Sequence, residues 1–152
     1  MDKEAKNTQQ TLKTISKQIL MTAPILKKRI FRPDFEQKQN PIPLSYVQVL
    51  AALNEKEKMS VSEISNRFDI AKPNITPLID RLIEAGYVKR VRNTEDRRVV
   101  FVVIEEKGRE KVESVVEALA ESIKGWSNEI TPDKLTKLSE AIETLRDTLE
   151  EK

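Results

Sequence analysis

The most constraining feature of this chain is a change of hydrophobic period near its middle. Between residues 75 and 83 the apolar side chains recur at helical spacing, and Gly86 follows at a position where glycine commonly ends a helix. Residues 87–92 then alternate polar and apolar side chains, and residues 99–104 are rich in β-branched types. The polar segment 93–98 separates these two runs. The pattern predicts a helix followed directly by a β-hairpin with a charged tip.

A second short helix is predicted just before that unit. Ser60 and Glu63 have the spacing of a capping box, and Val61, Ile64 and Phe68 provide an apolar face. Two short helices joined by a tight turn and followed by a hairpin are the arrangement of a winged helix-turn-helix. We therefore predict an α+β, mostly α, chain built around such a unit.

The segments on either side are predicted to be helical. Residues 8–35 place apolar side chains along one face, although Pro24 is expected to kink or interrupt this helix. Ser45 and Gln48 predict a capping box at the start of a further helix, and residues 54–59 form a polar connector. Near the C-terminus an apolar seam has the a/d spacing of a coiled coil. The seam consists of Leu135, Leu138, Ile142, Leu145 and Leu149.

Cysteine and histidine are both absent from the sequence. Their absence excludes disulfides, thiolate and imidazole catalysis, and Cys- or His-ligated metal sites. The three glycines are too scattered to form a phosphate-cradling loop. We therefore expect neither an enzyme nor a metal or cofactor site. No apolar run is long enough for a membrane helix and no signal-peptide pattern is present, which favours a cytoplasmic protein without a membrane partner.

Charge is distributed unevenly along the chain. Residues 71–104 carry seven basic and four acidic side chains, whereas residues 105–152 carry eight basic and thirteen acidic ones. The overall net charge of +2 conceals this difference. A basic middle next to an acidic C-terminal part indicates that the region of the predicted hairpin faces a polyanion.

Several short motifs follow one another in a specific order between residues 45 and 112. They are Ser62–Ser65, Ile70–Thr76, Leu78–Leu82, Gly86–Val88, Asp96–Arg98 and Glu106–Arg109. In this order and spacing they resemble the helix-turn-helix, wing and post-wing signature of MarR-type bacterial regulators. The flanking helices fit that family in number and length.

The resemblance implies a homodimer that binds a pseudo-palindromic operator in double-stranded DNA, usually as a repressor. It also implies that N- and C-terminal helices interlock as the dimerisation domain. We accordingly divide the chain into an N-terminal dimerisation helix (1–40), a winged helix-turn-helix domain (41–106) and C-terminal dimerisation helices (107–152). The expected interface residues are Leu12, Ile15 and Ile19 together with the C-terminal seam.

The predicted recognition helix has its candidate DNA contacts near its start. These candidates are Lys72, Pro73, Asn74, Thr76, Pro77 and Arg81. Asn74 can hydrogen-bond base edges, and Thr76 can touch a base or a phosphate. Asp80 and Glu84 would repel phosphates, so we expect only the first turns of the helix to enter the groove. Many relatives carry arginine where this chain has Pro77, and proline shifts sequence readout toward DNA shape.

In the hairpin, the candidate DNA contacts are Arg92, Asp96, Arg97 and Arg98. Arg98 resembles the family arginine that enters the minor groove, and Asp96 resembles its structural partner. A narrow minor groove favours a guanidinium over the more strongly hydrated lysine ammonium. The candidate phosphate contacts are Ser60, Ser62, Lys89 and Arg90.

Members of the family commonly release DNA when a small organic effector binds near the junction of the domains. Weak candidates for such a pocket are Phe31, Arg32 and Tyr46. Two other interpretations remain open. An effector-independent architectural regulator would bind DNA without sensing a ligand, and a winged-helix protein-interaction module would show no salt-dependent affinity for DNA.

Overall fold

The structure, a computed structural model, describes residues 2–30, 43–96, 98–126 and 130–150. Within these ranges most residues are helical, and a small sheet lies near the middle of the chain. The elements in order are α1 (Asp2–Ile30), α2 (Leu44–Lys56), β1 (Lys58–Ser60), α3 (Val61–Arg67), α4 (Lys72–Glu84), β2 (Val88–Arg92), β3 (Val100–Ile104), α5 (Glu106–Lys124) and α6 (Pro132–Glu150). This architecture confirms the predicted α+β, mostly helical fold.

The strands form one antiparallel sheet in the order β1-β3-β2. β2 and β3 are the predicted hairpin, with Val88 opposite Ile104. β1 pairs with the other edge of β3 and places Met59 opposite Val102. The expected polar connector at 54–59 was therefore wrong, because its last residues belong to a strand. A strand of three residues is too short to show a clear alternation.

The core of the structure lies between the sheet and helices α2, α3 and α4. Its members are apolar side chains of these helices and strands that point into the interior. Those that are almost completely buried are Val49, Leu50, Leu53, Met59, Ile64, Ile75, Ile79, Leu82 and Val102. Burial of one large apolar side chain contributes about 1.5–3 kcal/mol. This packing fixes α4 against the sheet and so sets the distance between α4 and the hairpin.

The end of α4 has the predicted glycine cap. Gly86 has a φ of +75°, and its N–H donates to the Ile83 carbonyl at 2.8 Å. The N–H of Tyr87 donates to the Leu82 carbonyl at 2.9 Å. These two bonds are a Schellman motif, which satisfies the last carbonyls of the helix and turns the chain into β2.

Two expected helix boundaries differ from the structure. α1 continues through Pro24 without a break, although proline leaves the carbonyl one turn earlier without its usual donor. That turn is exposed, as Leu20 shows, so solvent can satisfy the carbonyl. α2 begins at Leu44 after Pro43, and no side chain caps it. Ser45 therefore lies inside the helix, and the expected capping box with Gln48 is absent.

The outer helices carry exposed apolar side chains. Leu12, Ile15 and Ile19 on α1 are exposed, as is most of the α6 seam. No residue of α6 is buried within the single chain. Among the described residues, no helix has the combination of length and apolar character needed to cross a membrane.

Candidate nucleic-acid interface

A hydrogen-bonded turn joins α3 to α4. The hydroxyl of Ser65 donates to the Ile70 carbonyl at 2.7 Å, and the Ile70 N–H donates to the Ser65 carbonyl at 3.0 Å. Asp69, inside this turn, has a φ of +49°. Because Ser65 is buried, the two bonds form away from solvent. They hold the two helices of the helix-turn-helix in one relative orientation.

The N-terminus of α3 has the predicted capping box. The Ser60 hydroxyl accepts from the Glu63 N–H at 3.2 Å, and the Glu63 carboxylate accepts from the Ser60 N–H at 2.6 Å. The Ser60 backbone N–H, followed by its hydroxyl, lowers the pKa of Glu63. Ser60 thus has a local structural role, and its hydroxyl must turn away from the Glu63 carboxylate to donate to a phosphate. Ser62 is exposed on the first turn of the same helix.

The first two turns of α4 present the predicted face to solvent. Pro73, Asn74, Thr76 and Pro77 are exposed, whereas Ile75 on the opposite side is buried. In the part of the chain that the structure describes, no side-chain hydrogen bond engages Asn74 or Thr76. Their polar groups are therefore available to an external partner. The side chain of Lys72 lies outside the described set.

Arg81, further along α4, is turned toward α2. Its Nη1 donates to the Tyr46 hydroxyl at 3.3 Å. Tyr46 is half-buried and packs against the core. The expected effector candidate Tyr46 and the expected DNA contact Arg81 are thus neighbours. Phe31 and Arg32, the other effector candidates, lie outside the described residues.

Two cations predicted as phosphate contacts form ion pairs within the chain. Arg90 on β2 lies 2.8 Å from an Asp80 oxygen on α4. Lys89 Nζ lies 2.6 Å from a Glu105 oxygen just before α5. Such exposed pairs contribute only about 0–1 kcal/mol, so a phosphate can compete for either cation. The Asp80–Arg90 pair also offsets the negative charge that Asp80 brings to the recognition helix.

The loop of the hairpin is held by side-chain-to-backbone bonds. The Asn93 amide oxygen accepts from the Glu95 N–H at 3.0 Å, and the Asp96 carboxylate accepts from the Arg98 N–H at 2.9 Å. The Asp96 carbonyl also accepts from the Val99 N–H at 3.0 Å. Asp96 therefore contacts the backbone of Arg98 and leaves its guanidinium free. Asn93 is a further structural residue of this loop, and asparagine at the start of a polar turn is its recognisable sequence signal.

The described arginines at the end of the hairpin are open to solvent. Arg92 and Arg98 are both exposed. Among the described residues, neither has an acidic partner within ion-pair distance. Arg97 lies outside the described residues. Because the loop bonds fix its backbone, Arg98 is presented to solvent from an ordered position.

The Glu106–Arg109 motif after the hairpin attaches α5 to the end of α4. Lys107 Nζ donates to the Ala85 carbonyl at 2.8 Å and lies 5.3 Å from the centre of the Tyr87 ring. A Cβ atom on Gly108 would be 2.3 Å from the Tyr87 carbonyl oxygen. Only glycine permits this close approach. The motif is therefore structural and holds α5 next to the winged helix.

Comparison with known proteins identifies this arrangement. Residues 42–100 match the family model described as MarR family. This winged-helix segment belongs to the MarR family. It is 33% identical over 108 residues to the HTH-type transcriptional regulator TtmR of Methylorubrum extorquens (strain PA1), a match that covers 70% of this chain and 54% of TtmR. The match thus spans about half the length of that relative.

Solved structures share the MarR fold. A MarR family protein from Bacillus stearothermophilus is 25% identical with a TM-score of 0.72, and the match covers 93% of this chain and 96% of that one. A mutant MarR protein from E. coli, solved in complex with operator DNA, is 18% identical with a TM-score of 0.59, over 84% of this chain and 90% of that one. The second likeness concerns the fold alone. Membership in a family of regulators agrees with the expectation that the chain is not an enzyme.

Proposed function

We propose that this protein is a cytoplasmic homodimer that regulates transcription by binding a pseudo-palindromic operator in double-stranded DNA. The observation that carries the proposal is a pair of exposed arginines, Arg92 and Arg98, without an acidic partner among the described residues, together with the exposed start of α4. A phosphate-lined groove supplies the acceptors that these guanidinium groups lack within the described chain. The protein acts as a repressor when its operator overlaps a promoter.

The start of α4 enters the major groove in this proposal. Asn74 and Thr76 are exposed there, and their polar groups match the hydrogen-bonding edges of bases. Arg81 lies further from the groove because it contacts Tyr46. Pro77 offers only an apolar surface to a thymine methyl group. Base readout by this helix is therefore weak, and DNA shape supplies part of the specificity.

The hairpin reaches the adjacent minor groove in this proposal. Asp96 fixes the backbone of Arg98 through the 2.9 Å bond, so the guanidinium is presented at small entropic cost. Arg92 and Arg97 neutralise phosphates on either side. Further phosphate contacts come from Ser60, Ser62, Lys89 and Arg90. Lys89 and Arg90 exchange their present carboxylate partners for phosphates on binding.

A second copy of the chain covers the apolar faces of α1 and α6. Leu12 and Ile19 on α1 and Ile142, Leu145 and Leu149 on α6 are all more than half exposed in the single chain. Soluble chains rarely leave such contiguous apolar faces open. The dimerisation domain thus combines residues 1–40 with residues 107–152, and each copy supplies one winged helix to one half-site.

The proposal includes release of the DNA when a small organic effector binds. Tyr46 lies between the core of the winged helix and Arg81 on the recognition helix. A ligand that displaces the Tyr46 hydroxyl would therefore move Arg81. An effector-independent regulator remains the alternative, and a ligand screen against the DNA complex distinguishes the two.

Binding to the DNA upstream of the protein's own gene tests the proposal. We expect tight binding to that duplex and a steep loss of affinity between about 50 and 200 mM salt, because phosphate contacts release counterions. A scrambled duplex of the same composition measures non-specific binding. Equal, weak affinity for both duplexes at low salt would reject this target. Failure on a randomised duplex library as well would favour a protein-interaction module.

A further inference from the structure

Among the described residues, the ion pairs that join α6 to the winged helix lie near the C-terminal end of α6. Leu149 and Glu150 line a cleft of about 440 Å³ against α3 and β1. Met59 and Arg67 form part of the opposite wall. Since no residue of α6 is buried within the chain, apolar packing contributes little to holding this end in place.

The described ion pairs at this end of α6 involve Arg67 and Glu55 of the winged helix. The Nη2 atom of Arg67 lies 2.9 Å from a Glu150 oxygen on α6 and 3.5 Å from a Glu55 oxygen on α2. A second arginine, Arg146 on α6, lies 3.8 Å from the other Glu55 oxygen. Two helices of the winged-helix domain and one outer helix thus share a four-residue charge network.

The position of Arg67 suits it to join these helices. Its side chain is 25% exposed, compared with 54% for Glu150 and 57% for Glu55. It is the last residue of α3, where the helix dipole favours a cation. A guanidinium can also donate to two carboxylates at once without losing its geometry. Arg67 is therefore the anchored partner of this ion pair, and Glu150 is the residue through which α6 is attached to it.

We infer that Arg67 is a positioning residue that fastens the C-terminal turns of α6 to the helix-turn-helix and so sets where each recognition helix lies relative to the dimerisation helices. The inference rests on the proposed function for its effect on DNA. In a dimer whose copies meet through α6, the Arg67–Glu150 pair fixes the separation of the two winged helices. Restricting that separation restricts the half-site spacing that the dimer accepts.

Pulsed EPR tests the attachment without DNA. The chain contains no cysteine, so Ser62→Cys on α3 and Thr144→Cys on α6 carry the only spin labels. One labelled chain is mixed with excess unlabelled protein to isolate distances within one copy. We expect Glu150→Gln to broaden the distance distribution. Glu143→Gln is the matched control, because Glu143 is exposed on the same helix and forms no ion pair among the described residues. This control should leave the distance distribution unchanged.

The double variant separates an ionic tether from a general packing effect. In an Arg67→Gln background, Glu150→Gln should cause no additional broadening, because its partner is already gone. High salt should broaden the distribution of the parent chain more than that of Glu150→Gln, since exposed ion pairs are screened and the variant retains only the Arg146–Glu55 pair. Equal broadening by Glu150→Gln in both backgrounds, or none in either, would overturn the inference.

A DNA measurement tests the consequence for spacing. The affinity ratio between an operator and a version with one extra base pair between its half-sites should fall about two- to fivefold in Glu150→Gln. An unchanged ratio would overturn the inference. If the parent chain binds no duplex at all, the proposed function fails, while the EPR comparison still decides whether Arg67 fastens α6.

Discussion

At the scale of single residues, the proposed function gives Arg98 the most specific role in DNA binding. Its N–H donates to the Asp96 carboxylate, and its guanidinium is exposed with no acidic partner among the described residues. Replacement by alanine should weaken binding to a specific duplex by about 1–3 kcal/mol, which is roughly 5- to 150-fold. Arg98→Lys should recover only part of this loss, because ammonium is more strongly hydrated in a narrow groove. Fluorescence anisotropy at fixed salt measures both.

Glu95→Ala is the matched control for Arg98. Glu95 is exposed in the same loop and contributes its backbone N–H, which alanine retains, to the turn. Its removal should leave affinity unchanged or raise it slightly, since a negative charge near phosphates is lost. Equal losses for Arg98→Ala and Glu95→Ala would mean that the loop is sensitive only to disruption.

Pro77 also has a residue-scale consequence. It is exposed inside α4 and has no N–H or polar side chain. Pro77→Arg should add a guanine preference at one operator position, worth about 1–3 kcal/mol of discrimination, because arginine can donate to the guanine O6 and N7 together. Selected binding sites of the two proteins reveal the change. Identical base preferences would contradict the idea that readout here depends on shape.

At the scale of elements, the start of α3 depends on its capping box. Ser60→Ala should lower the free energy of unfolding by about 1 kcal/mol at pH 7. Ser62→Ala, two residues later and exposed, is the control and should change it by less than about 0.5 kcal/mol. Urea unfolding measures both. A cost for Ser62→Ala as large as that for Ser60→Ala would contradict the assigned cap.

The same cap predicts a dependence on pH. Hydrogen bonds from Ser60 lower the pKa of Glu63 below its ordinary value of 4.5. A lowered carboxyl pKa stabilises the fold at pH values above the ordinary value, and this contribution is lost as the pH falls through the folded-state pKa. The difference in stability between the parent chain and Glu63→Gln should therefore shrink in acid. A difference that is constant from about pH 7 to about pH 3 would contradict the ionised cap.

The junction between the hairpin and α5 depends on Gly108. Gly108→Ala places a Cβ atom 2.3 Å from the Tyr87 carbonyl, so α5 must shift and stability should fall by about 1–3 kcal/mol. Gly125→Ala meets its nearest atom at 3.4 Å and has a φ of −77°, so it is the matched control. Thermal unfolding should show a lower Tm for Gly108→Ala alone. Similar Tm values would contradict the close approach.

The elements differ in how well sequence predicts them. α4 and the hairpin follow from local signals, because apolar periodicity, Gly86 and a polar turn all lie within one stretch of chain. β1 is set by pairing with β3, which lies far along the sequence, so its own residues give no clear signal. The pairing of Arg90 with Asp80 and of Arg81 with Tyr46 likewise depends on how the elements pack. Periodicity identified which side chains are exposed, but not which cations already have partners.

At the scale of the whole molecule, the apolar faces of α1 and α6 predict association. Ile142→Glu places a charge in the centre of the α6 seam, where burial of an unpaired carboxylate is costly. It should convert a dimer to a monomer at micromolar concentration, as measured by sedimentation. Thr144→Glu, exposed on the same helix outside the seam, should remain dimeric. A dimer in both variants would place the interface elsewhere.

Selection from a randomised duplex library tests the central claim most directly, because every candidate operator sequence competes in the same experiment. We predict enrichment of a pseudo-palindrome whose half-sites are about one helical turn, roughly 10 base pairs, apart. We also predict that Arg98→Ala enriches the same motif poorly or not at all. Recovery of no motif by the parent chain at low salt would contradict the assignment of α4 and the hairpin as a DNA-binding surface.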